Sequence, residues 1–147
     1  MIKISHRGNL YGANPNEENT IDSIFNAINK NYEVEIDVWV INNEIFFGHD
    51  KPEYKTDIKV INDIGFRGWF HCKNLEALVF FKDNLRYYKF FWHQTDDFTL
   101  TSNNYIWTYP NKNISKQSII VHLDKPTQEY LDNFQGYGIC SDYIGHI

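Results

Sequence analysis

This sequence has little cysteine, no cluster of basic residues and no long apolar run. Its two cysteines, Cys72 and Cys140, are expected to be reduced and buried, because no export signal is present. The formal net charge of -5, from 14 basic and 19 acidic side chains, argues against a nucleic-acid partner. The lack of an apolar run and of a basic leader predicts no membrane insertion, no signal peptide and a cytoplasmic location.

Several catalytic motifs are also missing. The chain has no glycine-rich phosphate loop, nucleophile elbow, His-Glu-x-x-His helix or paired Cys-x-x-Cys. Their absence disfavours nucleotide hydrolases, serine esterases and zinc fingers. With 147 residues, of which 42% are hydrophobic and 17% aromatic, the chain can bury one sizeable core. We therefore expect one domain over residues 1–147.

Short apolar runs rich in Ile, Val, Phe, Tyr and Trp recur along the chain. Their length and composition predict about eight strands, within residues 2–6, 32–41, 69–72, 87–93, 98–101, 105–109, 118–123 and 137–141. Helical periodicity follows Thr20 and Asn74, and Pro126 is predicted to open a third helix that ends near Phe134. The asparagine-rich loops 14–19, 42–43 and 103–104 are interpreted as turns with no further role.

Strands that alternate with helices indicate a parallel sheet, and aromatic strands buried on both faces fit a closed barrel. A full barrel of eight β/α units takes about 250 residues. The stretches 95–105 and 109–118 are too short for ordinary crossover helices. The prediction is therefore an α/β fold, an abridged TIM-like (β/α) barrel with several outer helices missing. Uncovered apolar surface on that side further predicts a homodimer.

Glu35 and Asp37 lie two residues apart in a predicted strand, so their side chains share one face. Two carboxylates on a buried face need a cation, whereas carboxylates on a solvent-facing edge strand need none. Spacing alone leaves both interpretations open. The hairpin signal Asn42-Asn43 favours the buried face, because it folds His49 back beside Asp37.

His6 ends the first predicted strand and is followed by Arg7 and Gly8. Parallel sheets place their functional sites at such carboxyl ends of strands. Displacement at a phosphodiester needs a base on the attacking oxygen and an acid on the leaving oxygen, and histidine can serve in both roles near neutral pH. The two histidines, the guanidinium and the two carboxylates are therefore interpreted as a phosphodiester site.

Four motifs stand in order within the first third of the chain. They are His6-Arg7-Gly8, Glu18-Asn19-Thr20, Glu35-Ile36-Asp37-Val38 and His49-Asp50. In this order and spacing the motifs resemble the glycerophosphodiester phosphodiesterase family. Two later segments are similar to later parts of the same family, namely Trp107-Thr108 and Ser141-Asp142-Tyr143. The strong part of the resemblance covers residues 2–50.

The resemblance implies a TIM-barrel-like fold and a hydrolase of lipid metabolism. Its substrate would be a small glycerophosphodiester, which is cleaved to glycerol 3-phosphate and an alcohol with the help of one divalent cation, Mg²⁺, Ca²⁺ or Mn²⁺. Matched residue by residue, the catalytic acid and base are His6 and His49. The substrate-binding residues are Arg7, Lys73 and Trp107, and the metal ligands are Glu35, Asp37 and His71.

The chain departs from the family pattern at His71. The family ends its third strand with Glu-x-Lys, whereas this chain reads His71-Cys72-Lys73. If His71 is a ligand, its neutral imidazole favours Mn²⁺ or Zn²⁺ over Mg²⁺ or Ca²⁺. If His71 only donates a hydrogen bond beside the metal, two acidic ligands remain. The sequence leaves these two roles open.

Three other residues near strand ends are candidates for the same site. His93 and Asp96 either line it or form a structural pair, and Asp142 either binds a glycerol hydroxyl or belongs to a turn. Two other functions compete with hydrolysis. One is a lyase similar to phospholipase D toxins, which releases a cyclic phosphate, and the other is a non-catalytic barrel that binds a phospho-ligand. Retention of both motif histidines favours an enzyme, because a binding protein needs no proton shuttles.

Overall fold

The chain alternates strands with short helices from end to end. The computed structural model describes all residues, 1–147. Its ten strands are β1 (Ile2–His6), β2 (Glu33–Ile41), β3 (Glu44–Phe47), β4 (Tyr54–Thr56), β5 (Gly68–Cys72), β6 (Lys89–Trp92), β7 (Phe98–Leu100), β8 (Ile106–Thr108), β9 (Ser118–Val121) and β10 (Gly138–Ser141). Its four α-helices are α1 (Ile21–Asn29), α2 (Ile58–Ile64), α3 (Leu75–Asn84) and α4 (Gln128–Asp132).

All eight predicted strand segments contain a strand, but the total of about eight is too low. The two additional strands are β3 and β4, which extend the hairpin that Asn42-Asn43 opens. Helix α2 was not predicted either, because its seven residues are too few to show a clear helical period. The prediction for the third helix is wrong at its start: Thr127 is the N-cap of α4, and Pro126 precedes that cap.

Two side-chain caps fix where the longer helices begin. The Thr20 hydroxyl accepts the Ser23 N–H at the start of α1, as expected of an N-cap threonine. Asn74 caps α3 and also exchanges two hydrogen bonds with the backbone of Val40 in β2. The same amide therefore starts a helix and attaches it to the sheet.

Seven of the ten strands form one continuous parallel sheet in the order β6-β5-β2-β1-β10-β9-β8. The other three strands are antiparallel additions, because β3 pairs with β2, β4 with β3 and β7 with β8. The parallel sheet is thus confirmed, with antiparallel hairpins that the sequence-based prediction did not include.

The sheet curls until its two ends approach each other. Ser102, just after β7, donates its N–H to the Phe90 carbonyl and accepts the Phe90 N–H on its hydroxyl. The Thr99 hydroxyl donates to the carbonyl of Trp92. No helix lies between β6 and β9, which confirms the expected absence of crossover helices on this side. The fold is a mixed α/β structure with the shape of an incomplete barrel.

Alternation along the strands divides the buried side chains between two cores. On the outer face of β2, Val34, Ile36 and Val38 pack under the helices with residues such as Ile24 of α1 and Phe81 of α3. The inner face has a smaller core at mid-height, formed by Ile4, Trp69, Phe91, Trp107, Ile119 and Cys140. Each next inward residue toward the carboxyl end of these strands lies two positions further on, and these residues build the candidate site.

Candidate active site

A cavity of about 430 Å³ opens at the carboxyl ends of the parallel strands. Seven of the eight predicted site residues line it, and Asp37 lies fully buried beneath it. Because these residues come from β1, β2, β5, β8 and the loop after β3, the curled sheet brings together what the chain separates. The lining consists of His6, Arg7, Glu35, Trp39, His49, Asp50, His71, Cys72, Lys73, Trp92, His93, Gln94, Trp107, Tyr109, Pro110, Val121 and Leu123.

His6 is held in one orientation by Asp142. The His6 Nδ1 lies 2.8 Å from Asp142 Oδ1, and the same oxygen accepts a hydrogen bond from Asn9. Burial works against ionisation of Asp142, but the contacts with His6 and Asn9 outweigh it and lower the pKa of that carboxyl. A carboxylate at Nδ1 leaves Nε2 for the cavity, where it is 3.9 Å from Glu35 Oε2.

Arg7 is fixed by acidic residues from two other parts of the chain. One guanidinium nitrogen donates to Glu18 Oε2 at 3.1 Å, and Nε lies 3.1 Å from Asp37 Oδ2. The other oxygen of Glu18 accepts from Asn9. Glu18 of the second motif therefore positions the guanidinium of the first.

Asn19 holds Asp37 through two hydrogen bonds. Its amide donates to Asp37 Oδ2 and its carbonyl oxygen accepts the Asp37 N–H, both at 2.9 Å. Asn19 is buried and has a φ of 61°, a left-handed conformation that asparagine tolerates better than most residues. The interpretation of loop 14–19 as a turn with no further role is therefore wrong, because this asparagine positions a predicted metal ligand.

Glu35, Asp37 and His71 form a compact group. Nδ1 of His71 lies 3.4 Å from Glu35 Oε1 and 3.1 Å from Asp37 Oδ1, and one ligand atom from each residue lies within 4.8 Å of the others. Glu35 Oε2 and Asp37 Oδ1 are both buried without a hydrogen-bond partner. The buried interpretation of these carboxylates is thus correct, and the solvent-facing alternative is wrong.

His71 has its second nitrogen anchored to the backbone. Nε2 is 2.7 Å from the carbonyl oxygen of His93, to which it donates, so Nδ1 faces the two carboxylates. Burial disfavours a charged imidazole, but the close approach of Asp37 and Glu35 outweighs it and raises the pKa of His71 to about 9. A proton on Nδ1 therefore balances the carboxylate charge in the metal-free protein.

Lys73 and Arg7 add positive charge around Asp37. The Lys73 Nζ lies 3.3 Å from Asp37 Oδ1. Burial alone would raise the pKa of Asp37, but the contacts with His71, Lys73 and Arg7 outweigh it and hold that pKa far below its usual value. Asp37 is thus an anion at neutral pH, and both cationic side chains face the cavity from beside it.

The hairpin after β2 brings His49 to the cavity, as predicted. Asn42 and Asn43 both have positive φ, 51° and 64°, which is the conformation of a two-residue type I′ turn. Gly48 then donates its N–H to the Asp37 carbonyl. Its own φ is 148°, and an added Cβ would lie 2.2 Å from a backbone oxygen, so this close approach requires glycine.

His49 is more accessible than the other cavity histidines near the carboxylates. Its side chain is 41% exposed, compared with 11% for His6 and 13% for His71. Its Nδ1 lies 2.7 Å from Asp50 Oδ1, which leaves Nε2 free. The cavity therefore has one enclosed imidazole with a buried carboxylate partner and one rim imidazole with an exposed partner.

The wall of the cavity that β8 and β9 form is mostly apolar. Trp107 of β8 is buried and stacks on Phe91, with ring centroids 4.4 Å apart and an angle of 27°. It serves both as core and as cavity wall. Tyr109, Pro110, Val121 and Leu123 continue this wall.

Two further residues at the cavity have roles that the sequence left open. Asp142, left open between a ligand-binding and a turn residue, is the partner of His6. His93 forms no hydrogen bond with Asp96, so the structural pair is wrong: His93 lines the cavity, and neither ring nitrogen has a partner. Burial, with help from the nearby His71 and Lys73, lowers the pKa of His93. Strand alternation could have identified both residues. Phe91 and Cys140 face inward, so His93 and Asp142, two positions later, face inward as well.

Neither protein-family models, nor curated proteins, nor solved structures yielded a match to this chain. The resemblance to the glycerophosphodiester phosphodiesterases thus stays a prediction from the motifs. None of the helices has the length and apolar character that crossing a bilayer demands. What the chain offers is a polar cavity at the strand ends of a curled sheet, with two carboxylates, several imidazoles and two cations.

Proposed function

We propose that this protein is a phosphoric diester hydrolase that converts a glycerophosphodiester to glycerol 3-phosphate and an alcohol, on an abridged TIM-like barrel. One observation carries the proposal: His6, Arg7, Glu35, His49 and Asp50 of the motifs line one cavity together with His71-Cys72-Lys73. Three parallel strands, β1, β2 and β5, and the hairpin of β2 and β3 are needed to bring them together. A set of scattered structural residues has no reason to converge in this way.

His6 is suited to hold and move a proton at Nε2. Asp142 and Asn9 fix the ring, so the nitrogen that meets the substrate does not reorient during the reaction. His49 supplies the second imidazole from the rim, where a leaving group has access to water. One histidine takes the proton of the attacking glycerol hydroxyl, and the other gives a proton to the departing alcohol oxygen, so that a cyclic phosphate forms. Water then opens the cyclic phosphate to glycerol 3-phosphate, with the two histidines exchanging their roles as acid and base.

Arg7 and Lys73 are the groups that bind the phosphate. Both line the cavity, and both are held in place by Asp37. Their fixed charges stabilise the negative charge on the phosphoryl oxygens without reorganisation. Trp107 provides an apolar surface for the carbon part of the substrate.

Glu35, Asp37 and His71 are the residues that would hold a divalent cation. They fit this role because one ligand atom from each lies within 4.8 Å of the others, because Glu35 Oε2 is buried without a hydrogen-bond partner, and because a carbonyl orients His71 through its other nitrogen. When bound, the cation would polarise the phosphoryl oxygen and lower the pKa of a nearby hydroxyl. One imidazole with two carboxylates favours Mn²⁺ or Zn²⁺.

A second candidate is a barrel that binds a phospho-ligand without turnover. The observation in its favour is that Asp37 already has compensating protein cations at His71, Lys73 and Arg7. A site that is neutralised by the protein itself has less need of a metal. The lyase that stops at a cyclic phosphate uses the same residues as the hydrolase, so only the product separates these two.

The test is turnover of a chromogenic phosphodiester, and then of glycerophosphoethanolamine, across Mg²⁺, Ca²⁺, Mn²⁺ and Zn²⁺. Phosphorus NMR identifies the product as glycerol 3-phosphate or a cyclic phosphate. The matched control is Glu35→Gln, which keeps the size of the side chain and removes its charge. Release of glycerol 3-phosphate by the wild type alone supports the hydrolase. Binding of glycerol 3-phosphate with no turnover under any metal would instead favour the binding barrel.

A further inference from the structure

His93 is the one histidine of the cavity whose ring makes no polar contact. It follows β6, is 8% exposed and lines the cavity. Both Nδ1 and Nε2 are buried and without a hydrogen-bond partner. The other three cavity histidines each have a partner, at Asp142, Asp50 or a backbone carbonyl. Buried polar atoms of this kind are rare in native proteins and require an explanation.

No neighbour within the protein supplies that explanation. The nearest rings are Tyr109, with a centroid 5.6 Å away, and His71, with a centroid 6.3 Å away. Neither is in hydrogen-bond contact with the imidazole. The backbone of residue 93 does have a role, because its carbonyl accepts from His71. That role accounts for the position of the main chain and not for an imidazole as the side chain.

The position of His93 in the strand order indicates what its partner is. On the neighbouring strand β5 and just after it, His71 and Lys73 belong to the charged side of the cavity, whereas Trp107 of β8 and the following Tyr109 belong to the apolar side. A ligand whose phosphate lies on the charged side and whose carbon chain lies on the apolar side would extend past the imidazole of His93. In either protonation state an imidazole has at least one N–H to donate.

We propose that His93 is a substrate-binding residue that donates a ring hydrogen bond to an oxygen of the bound phosphate ester. The oxygen belongs either to the phosphoryl group or to a hydroxyl of the attached alcohol. This inference rests on the proposed function for the identity of the ligand, and it assigns to His93 a part in choosing which ester binds. It does not require that the ester be cleaved.

The test measures binding of two probes, inorganic phosphate and glycerol 3-phosphate, by calorimetry in the presence of Mn²⁺. His93→Leu removes the donor but keeps the backbone carbonyl that holds His71, and His93→Gln keeps an N–H donor. The control is His122→Leu, which removes a histidine outside the cavity that stacks on Tyr130. In the wild type, NMR of ¹⁵N-labelled histidine follows the ring nitrogens of His93 directly, so the proposal does not depend on any variant folding.

We expect His93→Leu to weaken binding by about tenfold or more, as loss of a hydrogen bond to a charged group does. His93→Gln should lose less, and His122→Leu nothing. A loss for both probes assigns the contact to a phosphoryl oxygen, and a loss for glycerol 3-phosphate alone assigns it to a hydroxyl. Unchanged affinity in His93→Leu, or unchanged His93 nitrogen shifts with both probes, would overturn the proposal. Binding that depends on His93 with no turnover would leave this inference standing and refute the hydrolase.

Discussion

The base and the mouth of the incomplete barrel are formed by the same strands, but their charged side chains are paired to different degrees. At the base, Lys89 of β6 reaches Glu33 of β2 at 2.5 Å and lies 4.4 Å from the centre of a Trp69 ring. Tyr105 and Tyr137 stack beside them, with centroids 4.0 Å apart. The side chains at the base therefore satisfy one another's polar and aromatic contacts, and no ligand is needed there.

At the mouth, the charges are incompletely paired. Five of the six buried side-chain atoms without a hydrogen-bond partner belong to mouth residues, and the sixth belongs to Thr56. The five atoms are Arg7 Nε, Glu35 Oε2, Asp37 Oδ1 and both ring nitrogens of His93. Arg7 Nε and Asp37 Oδ1 still have charged neighbours, at 3.1 Å from Asp37 Oδ2 and from His71 Nδ1 respectively. Glu35 Oε2 and the two His93 nitrogens have no close polar partner and are available to a ligand.

Base and mouth thus differ in how completely the side chains of the protein pair with one another. In each of β2, β5 and β6 the inward positions run from a base residue to a mouth residue, as from Glu33 to Asp37 in β2. Barrels with sites at the carboxyl ends of their strands show the same division between the two faces.

The largest effect is expected at the mouth, on turnover. His6→Ala and His49→Ala should each lower turnover of a phosphodiester by about a hundredfold or more, because each removes a positioned acid or base. Stability should change little for His49, whose side chain is half exposed. Initial rates with saturating metal measure the effect. A variant that retains nearly the wild-type rate would rule out the mechanism with two histidines.

The next prediction concerns pH and the metal-free mouth. The pKa of His71 is about 9, above its ordinary value of 6.5. A raised pKa means that the stabilisation is complete below pH 6.5 and is lost as pH rises through 9, by up to roughly 3 kcal/mol. Urea unfolding in EDTA across this range should show it, and His71→Gln should abolish it. Equal pH profiles for the two proteins would mean that His71 is not charged.

At the base, removing a charge should affect stability and not turnover. Lys89→Met leaves Glu33 without its cation at a largely buried position, which should lower the free energy of unfolding by about 1–3 kcal/mol. Lys55→Met at the exposed pair with Glu44 is the control and should cause no measurable change. Denaturant unfolding and diester turnover are measured together. If Lys89→Met loses turnover while it stays folded, the division between base and mouth is wrong.

A smaller effect is expected on metal affinity, and it tests whether His71 is a metal ligand. His71→Ala should weaken Mn²⁺ binding by about tenfold, because it removes a ligand and its orientation by the backbone. His71→Glu should strengthen Mg²⁺ binding, since a third carboxylate suits a hard cation. Calorimetric titration of the three proteins measures both effects. Equal Mn²⁺ affinity in the wild type and His71→Ala would show that His71 does not touch the metal.

The smallest effect concerns the helix-free side of the barrel. Phe98, Leu100 and Ile114 are exposed around an apolar groove there, which agrees with the predicted uncovered surface. We expect a dimer that buries this side, and Leu100→Lys should shift it toward monomer with turnover unchanged. Light scattering at micromolar concentration decides the point. A monomeric wild type would contradict the prediction.

Local signals in the sequence were enough for much of the first third of the chain. Two-residue alternation placed Glu35 and Asp37 on one face, and Asn42-Asn43 favoured the buried interpretation and predicted the hairpin that carries His49 to the cavity. Thr20 predicted the start of α1. These features depend on residues close in sequence, so backbone geometry and turn preferences decide them. Short elements such as β4 and α2 were not predicted, because three or seven residues are too few to show a clear period.

Only the tertiary structure decided which side chains meet at the mouth. Asp142 reaches His6 across 136 positions, and His71 donates to the carbonyl of the residue that follows the next strand. The two hydrogen bonds between Asn19 and Asp37 could not be predicted from the sequence pattern, and neither could the lack of a partner for the His93 ring. The sequence by itself determined which residues share a strand face, the hairpin and the chemical types available. The order in which β1, β10, β2 and β5 stand side by side determined the pairings, because contacts between distant strands depend on the closure of the whole sheet.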